Sequence, residues 1–227
     1  RLGSDPVARI LRDECGNKAE FEEKFFAEKM KKFKKLFNGN RKVAEKYFSH
    51  LTNQEQREDI KKYIEENRGD VPREIAVAIM GLESGGDPKA KSKAGALGLF
   101  QLMPETAKGL ELEVSKNNDE RLIPEKNIAA GMTLLRSYHK MFGQWGLALV
   151  AYNWGPGNLA RLLERKAFIK NAKDFGIDEL KNVDLNIISK DTKLKYPYWV
   201  AGMYEITNSA LNGESLEKYF KKEYATK

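Results

Sequence analysis

Residues 72–104 read PREIAVAIMGLESGGDPKAKSKAGALGLFQLMP, and their first half decides the fold. From Ile75 to Leu82 every residue is apolar or glycine, so a helix drawn through them has no polar face and is predicted to be buried all round. Pro72 suits its first turn and Gly85-Gly86 its stop. The apolar run ends on a single acid, Glu83. At that end a carboxylate meets the negative pole of the helix dipole and poor solvation, both of which disfavour the ionised form. A carboxylic acid still partly protonated near neutral pH is what a general acid for glycosidic cleavage requires. An acid merely fraying at a helix end is the plainer reading of the same position.

The motifs downstream of this helix separate the two readings. Glu83-Ser84-Gly85-Gly86 is succeeded by Ser92, by Gly98-Leu99-Phe100-Gln101-Leu102-Met103-Pro104 and, farther on, by Ala151-Tyr152-Asn153-Trp154-Gly155. Four motifs in this order and spacing resemble the lytic transglycosylases of glycoside hydrolase family 23, relatives of goose-type lysozyme. The resemblance runs from about Asp70 to Asn212. It implies a mainly α, lysozyme-like catalytic domain that acts on peptidoglycan in the bacterial periplasm or cell envelope, and nothing in the residues implies a cofactor.

In the resembling enzymes one Glu protonates the oxygen bridging MurNAc and GlcNAc, and the 2-acetamido group helps stabilise C1. The same Glu then takes the proton of the C6 hydroxyl, which attacks C1 and leaves a 1,6-anhydro end without using water. By position, Glu83 takes this acid–base role. Ser92 matches a serine that orients the C6 hydroxyl or the acetamide, and Gln101 and Met103 match residues lining the sugar sites. Tyr152 matches a phenol that holds the acid or the acetamide, with Ser84, Asn153 and Tyr196 as support. Trp154 departs from the small residue common at its position. Asp191-Thr192-Lys193-Leu194-Lys195-Tyr196 only loosely resembles the family's Glu-Thr-Arg-x-Tyr element, so neither Tyr196 nor Tyr198 is assigned firmly.

Hydrolysis by the usual routes needs a second carboxyl group. Between Glu83 and Met103 the only other acid is Asp87, which precedes Pro88 in a predicted turn. This shortage favours the single-carboxylate route, in which an internal nucleophile can gain an effective molarity of ~10⁵ M or more over water. Two alternatives stand beside it: a lysozyme- or chitinase-like hydrolase on the same fold, and a non-catalytic protein binding the cell wall or a membrane surface.

The 227 residues carry 40 Lys and Arg against 33 Asp and Glu, a net charge of +7 that favours an anionic partner such as peptidoglycan with its stem-peptide carboxylates. The lysines are interspersed with glutamates, which counts against nucleic acid. No apolar run reaches the ~20 residues of a membrane span. The start, RLGSDPVARI, lacks the apolar core of a secretory signal, although a trimmed mature form would look the same. His50 and His139 have no partner at metal or triad spacing, and the lone Cys15 reads as an inert thiol, so no metal is implied.

Three segments are expected: a lead-in and helical extension over residues 1–68, the catalytic domain over 69–212 and a charged helix over 213–227. The lead-in is polar, and partly helical at most, to about residue 18. Beyond it Phe25, Phe26, Met30, Phe33, Leu36 and Phe37 share one half of a helical wheel, and Lys24, Lys31, Lys34 and Lys35 occupy the other. Such a helix packs on a neighbour or lies on a membrane surface. A second short helix comes next, with Val43, Tyr47, Phe48 and Leu51 on its apolar face, and Thr52 with Glu55 predicts a capping box opening a third. The extension could serve as scaffold, as lid or as the docking surface for a cell-envelope protein. Later helices are predicted from Pro104, over 127–142 and 145–153, from Asn158 and from about Tyr196. Any small β element belongs between Ser84 and Gln101.

Overall fold

The computed structural model describes residues 5–166, 169–188 and 192–224. Its α-helices are α1 (Pro6–Glu14), α2 (Lys18–Phe37), α3 (Arg41–Tyr47), α4 (Gln54–Asn67), α5 (Arg73–Ser84), α6 (Pro104–Gly109), α7 (Pro124–Phe142), α8 (Trp145–Trp154), α9 (Pro156–Lys166), α10 (Asp178–Lys181), α11 (Leu185–Ile188), α12 (Tyr196–Leu211) and α13 (Glu217–Tyr224). The chain is mainly α, as its patterning predicts. Among the described residues, extended pairing is limited to isolated antiparallel bridges, Lys91 with Leu97, Leu97 with Leu102 and Val114 with Asp119. The first two lie in the loop after α5, where a small β element was expected.

The chain divides into two units. One comprises Arg1–Lys31 with Leu134–Gly202, the other Lys32–Thr133 with Met203–Lys227. Residues 1–68 therefore contribute to both.

The second unit contains α5. Residues 75–80 are fully buried and Leu82 nearly so, and each of the large side chains Ile75, Val77, Ile79, Met80 and Leu82 contributes roughly 1.5–3 kcal/mol by leaving water. Burial on every side requires neighbours on every side. Helix α12 lies so close that a Cβ on Gly81 would overlap Thr207 Oγ1, and Arg73 Nη1 donates to Asn208 Oδ1 (3.1 Å). Phe100 packs flush against Gly131 of α7. The predicted capping box at Thr52 does not form. Asn53 caps α4 instead, its side chain accepting from Gln56 N–H (2.8 Å). Thr52 Oγ1 donates to Ser49 O (2.7 Å) and closes the preceding turn, so the competing local hydrogen bond displaces the cap by one residue.

The first unit centres on α8, whose residues Trp145–Ala151 are all buried. Helix α1, which packs on it, occupies the stretch expected to be a polar lead-in. Asp5 caps α1 by accepting from Ala8 N–H (2.9 Å), Pro6 stands in the first turn, and Val7, Ala8 and Leu11 form the buried face. At its far end Glu14 accepts from Trp145 N–H (2.8 Å), supplying the N-terminus of α8 with an acceptor that Gln144 does not provide. Gln144 turns its amide to the carbonyls of Leu180, Lys181 and Val183.

Helix α2 uses its aromatic face for packing. Phe21, Phe25, Phe33 and Phe37 are buried, whereas Lys31, Lys34 and Lys35 are exposed. In the first unit, Phe21 contacts the Tyr198 ring at 5.1 Å. The Tyr198 hydroxyl donates to Asn186 Oδ1 (3.0 Å), and Asn186 Nδ2 donates to Cys15 Sγ (3.0 Å). Burial, then the hydrogen bond to Asp184, pushes the Cys15 thiol up to about 11. The thiolate is the reactive form. A disulfide reagent at pH 8 should therefore label Cys15 in the folded chain about two orders of magnitude more slowly than in the denatured chain; equal rates would contradict this packing.

Candidate active site

Glu83 is the penultimate residue of α5 and is half-buried. The helix stops at Gly85, which adopts the left-handed conformation (φ 62°, ψ 20°). A side chain there would be strained, and its Cβ would also stand 2.5 Å from Tyr47 O and 2.8 Å from the Tyr47 ring. Ser84 Oγ donates to Met80 O (3.0 Å) and accepts from Gly86 N–H (3.2 Å), so this serine closes the helix end. Gln56 Nε2 donates to Gly86 O (2.8 Å). The Tyr47 hydroxyl donates to two carbonyls of the last turn, Gly81 O (2.9 Å) and Leu82 O (2.8 Å).

Two neighbours of the acid carry no signal in the sequence. Burial, and secondarily the Glu83 charge, raise the Tyr47 phenol well above its ordinary value. It therefore remains a donor through neutral pH. Burial and the like charge of Lys35 lower Lys32, while Glu83 opposes the shift. Tyr47 reads in sequence as one more apolar-face residue of a short helix, and nothing in the spacing marks Lys32.

The loop after α5 is tied down residue by residue. Asp87 Oδ1 accepts from Lys89 N–H (2.8 Å) and its Oδ2 faces His50 Nε2 at 3.5 Å, so Asp87 is the turn residue its context predicts. Ser92 Oγ accepts from Ala96 N–H (3.0 Å), which leaves its own O–H to donate. Gln101 has a left-handed backbone (φ 49°). Its Nε2 donates to Ala90 O (2.8 Å) and Gly98 O (2.9 Å), so both amide hydrogens are spent and only Oε1 is left for a ligand. Met103, equally readable in sequence as a core residue, is 42% exposed.

A buried clamp not anticipated from the sequence holds this loop. Arg121 pairs with Asp119 through Nε (2.9 Å) and Nη2 (2.7 Å), and its Nη1 donates to Gly95 O and Leu102 O (2.9 Å each). Asn127 donates to Leu97 O (3.1 Å) and Arg121 O (2.8 Å) and accepts from Phe100 N–H (2.8 Å). A Cβ on Gly98 (φ 83°) would run into Asn127 and Arg121 O.

Glu83, Ser84, Ser92, Gln101 and Met103 thus belong to one unit, and Tyr152, Asn153 and Tyr196 to the other. Tyr152 is half-buried and Asn153 exposed, both on α8, which covers the helix predicted over 145–153. Helix α9 starts at Pro156, two residues earlier than predicted, and Asn158 Nδ2 holds the junction by donating to Trp154 O (2.7 Å). Tyr196 is buried at the start of α12. Asp191 lies outside the described residues, as do the side chains of Thr192 and Lys193.

The sequence profile of the Transglycosylase SLT domain family matches residues 61–175, just over half of the chain. The chain belongs to that family. The matched SLT span takes in Glu83, Ser92, Gln101, Met103 and Tyr152 and leaves Lys32, Tyr47 and Tyr196 outside. The soluble lytic murein transglycosylase of Escherichia coli K12 is 31% identical over 139 residues, covering 56% of this chain and 21% of that protein. The transglycosylase of Enterobacteria phage PRD1 is 39% identical over 84 residues, 37% of this chain and 29% of the phage protein. The crystal structure of the 70 kDa soluble lytic transglycosylase from Escherichia coli aligns at a TM-score of 0.49 and 27% identity, covering 68% of this chain and 25% of that one, a likeness too loose to argue from. The chain thus spans about a fifth of the length of the Escherichia coli relative.

Proposed function

We propose that this SLT domain is a peptidoglycan lytic transglycosylase that cleaves the β-1,4 bond between MurNAc and GlcNAc with Glu83 as its only acid–base. The observation that carries the reading is the pairing of SLT family membership with Glu83 at the end of a buried helix, while Asp87, the other acid between Glu83 and Met103, is engaged in a turn.

The chemistry uses one carboxyl group twice. Protonated Glu83 gives its proton to the glycosidic oxygen as the bond to C1 breaks, and the GlcNAc fragment leaves as an alcohol. The acetamido oxygen stabilises the positive charge developing at C1. The Glu83 carboxylate then removes the C6 hydroxyl proton as O6 bonds to C1, which closes the 1,6-anhydro ring and restores the acid. No water is consumed. The free O–H of Ser92 suits the C6 hydroxyl or the acetamide, and Gln101 Oε1 suits a sugar N–H or O–H. The exposed thioether of Met103 offers a flexible apolar surface to a pyranose face. Tyr152 is assigned to the acid or the acetamide by its motif.

The catalytic domain is assigned to residues 69–212, with the helices of 1–68 as its extension and 213–227 as a charged tail. The net charge of +7 suits anionic peptidoglycan, and the exposed Lys31, Lys34 and Lys35 offer an envelope protein or anionic surface a basic face. The workplace is the periplasm or cell envelope, where the substrate is. Incubation with purified peptidoglycan should release soluble muropeptides; tight sedimentation with the polymer and no release would favour a binding protein instead.

A further inference from the structure

We propose that Tyr47, which lies outside the matched SLT span, is a positioning residue for Glu83: its hydroxyl fixes the last turn of α5 and withdraws two carbonyls from the acid. The inference rests on the reading of Glu83 as the acid–base.

The last carbonyls of a helix have no N–H of their own helix to accept from. In α5 the Gly81 carbonyl receives Gly85 N–H (3.1 Å), but Gly86 N–H, which would serve Leu82, goes to Ser84 Oγ. Leu82 O is served by the Tyr47 hydroxyl, which also touches Gly81 O. These two carbonyls immediately precede Glu83. Without the phenol, Gly81 O would keep only Gly85 N–H and Leu82 O would be bare, presenting the negative pole of the helix to the carboxylate. The phenol thus holds the backbone beneath the acid and limits the field that opposes its ionisation.

Tyr47 is itself fixed. Its ring meets Phe37 edge-on (5.6 Å, 75°) and Phe48 edge-on (5.0 Å, 85°). The bare Cα of Gly85 leaves room for it on the far side of Glu83. Contacts at residues 81, 82 and 85 therefore bracket the acid from one side chain. Charged groups that act in this neighbourhood include Lys32 on α2, which feels both Lys35 and Glu83, and the His50–Asp87 pair next to Gly86. The phenol oxygen is the atom that meets both carbonyls, so its removal tests that contact directly.

Tyr47→Phe keeps the ring contacts and deletes the donor. The carboxyl carbon of Glu83, identified by comparison with Glu83→Gln, is titrated by ¹³C NMR in the full chain, and kcat and KM are measured on peptidoglycan fragments. The Glu83 midpoint should rise by about half a unit in Tyr47→Phe, and kcat should fall about tenfold with KM within about twofold. An unchanged midpoint and unchanged kcat, even with a lower Tm, would overturn the inference and reduce Tyr47 to packing. If the parent chain does not cut glycan, the enzymatic reading fails separately, because the titration still decides what Tyr47 does to Glu83.

Discussion

Glu83→Gln is expected to lower glycan cleavage by about 10²–10⁴-fold, the range of general acid–base contributions, with Tm shifting by no more than about 2 °C. The amide keeps the size and shape of the acid but can neither donate the proton to the glycosidic oxygen nor accept one from the C6 hydroxyl. Stability should survive because the bonds that shape this helix end are made to backbone atoms. Tyr47 holds Gly81 O and Leu82 O, Ser84 holds Met80 O and Gly86 N–H, and Gln56 holds Gly86 O. Fragment release by the variant at the parental rate would mean that another group supplies the proton.

Arg121→Ala is the largest stability change expected, a loss of about 3–5 kcal/mol by chemical denaturation, the cost of breaking a buried ion pair from one side. The guanidinium is 7% exposed and the Asp119 carboxylate 18%, so its removal leaves an acid poorly solvated, deprives Gly95 O of its donor and leaves Leu102 O with only the Leu97 N–H. Those carbonyls flank the segment that carries Gln101, and Ser92 closes the adjoining turn. Cleavage should therefore fall along with stability. The pair also has a pH signature. Arg121 holds the Asp119 carboxyl below its ordinary value, so its contribution is complete above the unfolded Asp range near pH ~3.9 and fades as pH falls through the lower folded value. A loss below about 1 kcal/mol, typical of solvent-exposed pairs, would show that the clamp is not closed in solution.

The centre of the fold was legible because its signals are local. An uninterrupted apolar run between the start signal Pro72 and the stop signal Gly85-Gly86 reads as a buried helix, and the glycines mark the turn that follows the acid. The motif order from Glu83 to Trp154 then needs no structure to be recognised. What escaped is non-local or ambiguous. Arg121 and Asn127 act on partners 19 to 30 positions away in the loop of residues 90–102, which no local pattern reports. Helix α1 offers only Val7, Ala8 and Leu11 to a core, too few for periodicity to register, although Asp5-Pro6 is a helix-start signal that was there to be read. The cap of α4 moved from Thr52 to Asn53 because two capping residues stood side by side and the preceding turn took the first. Gln101 shows a further limit: the sequence identifies an amide at the site, but not that its hydrogens are consumed by Ala90 O and Gly98 O.

The central claim is that one carboxyl group and the substrate's own C6 hydroxyl do the work of an acid and a water molecule. The direct measurement is the mass of the muropeptides released from purified peptidoglycan by the parent chain. Products one water lighter than the corresponding hydrolysis products, carrying 1,6-anhydro ends, are predicted. Full-weight products with reducing MurNAc ends would contradict the account and require a second catalytic carboxylate.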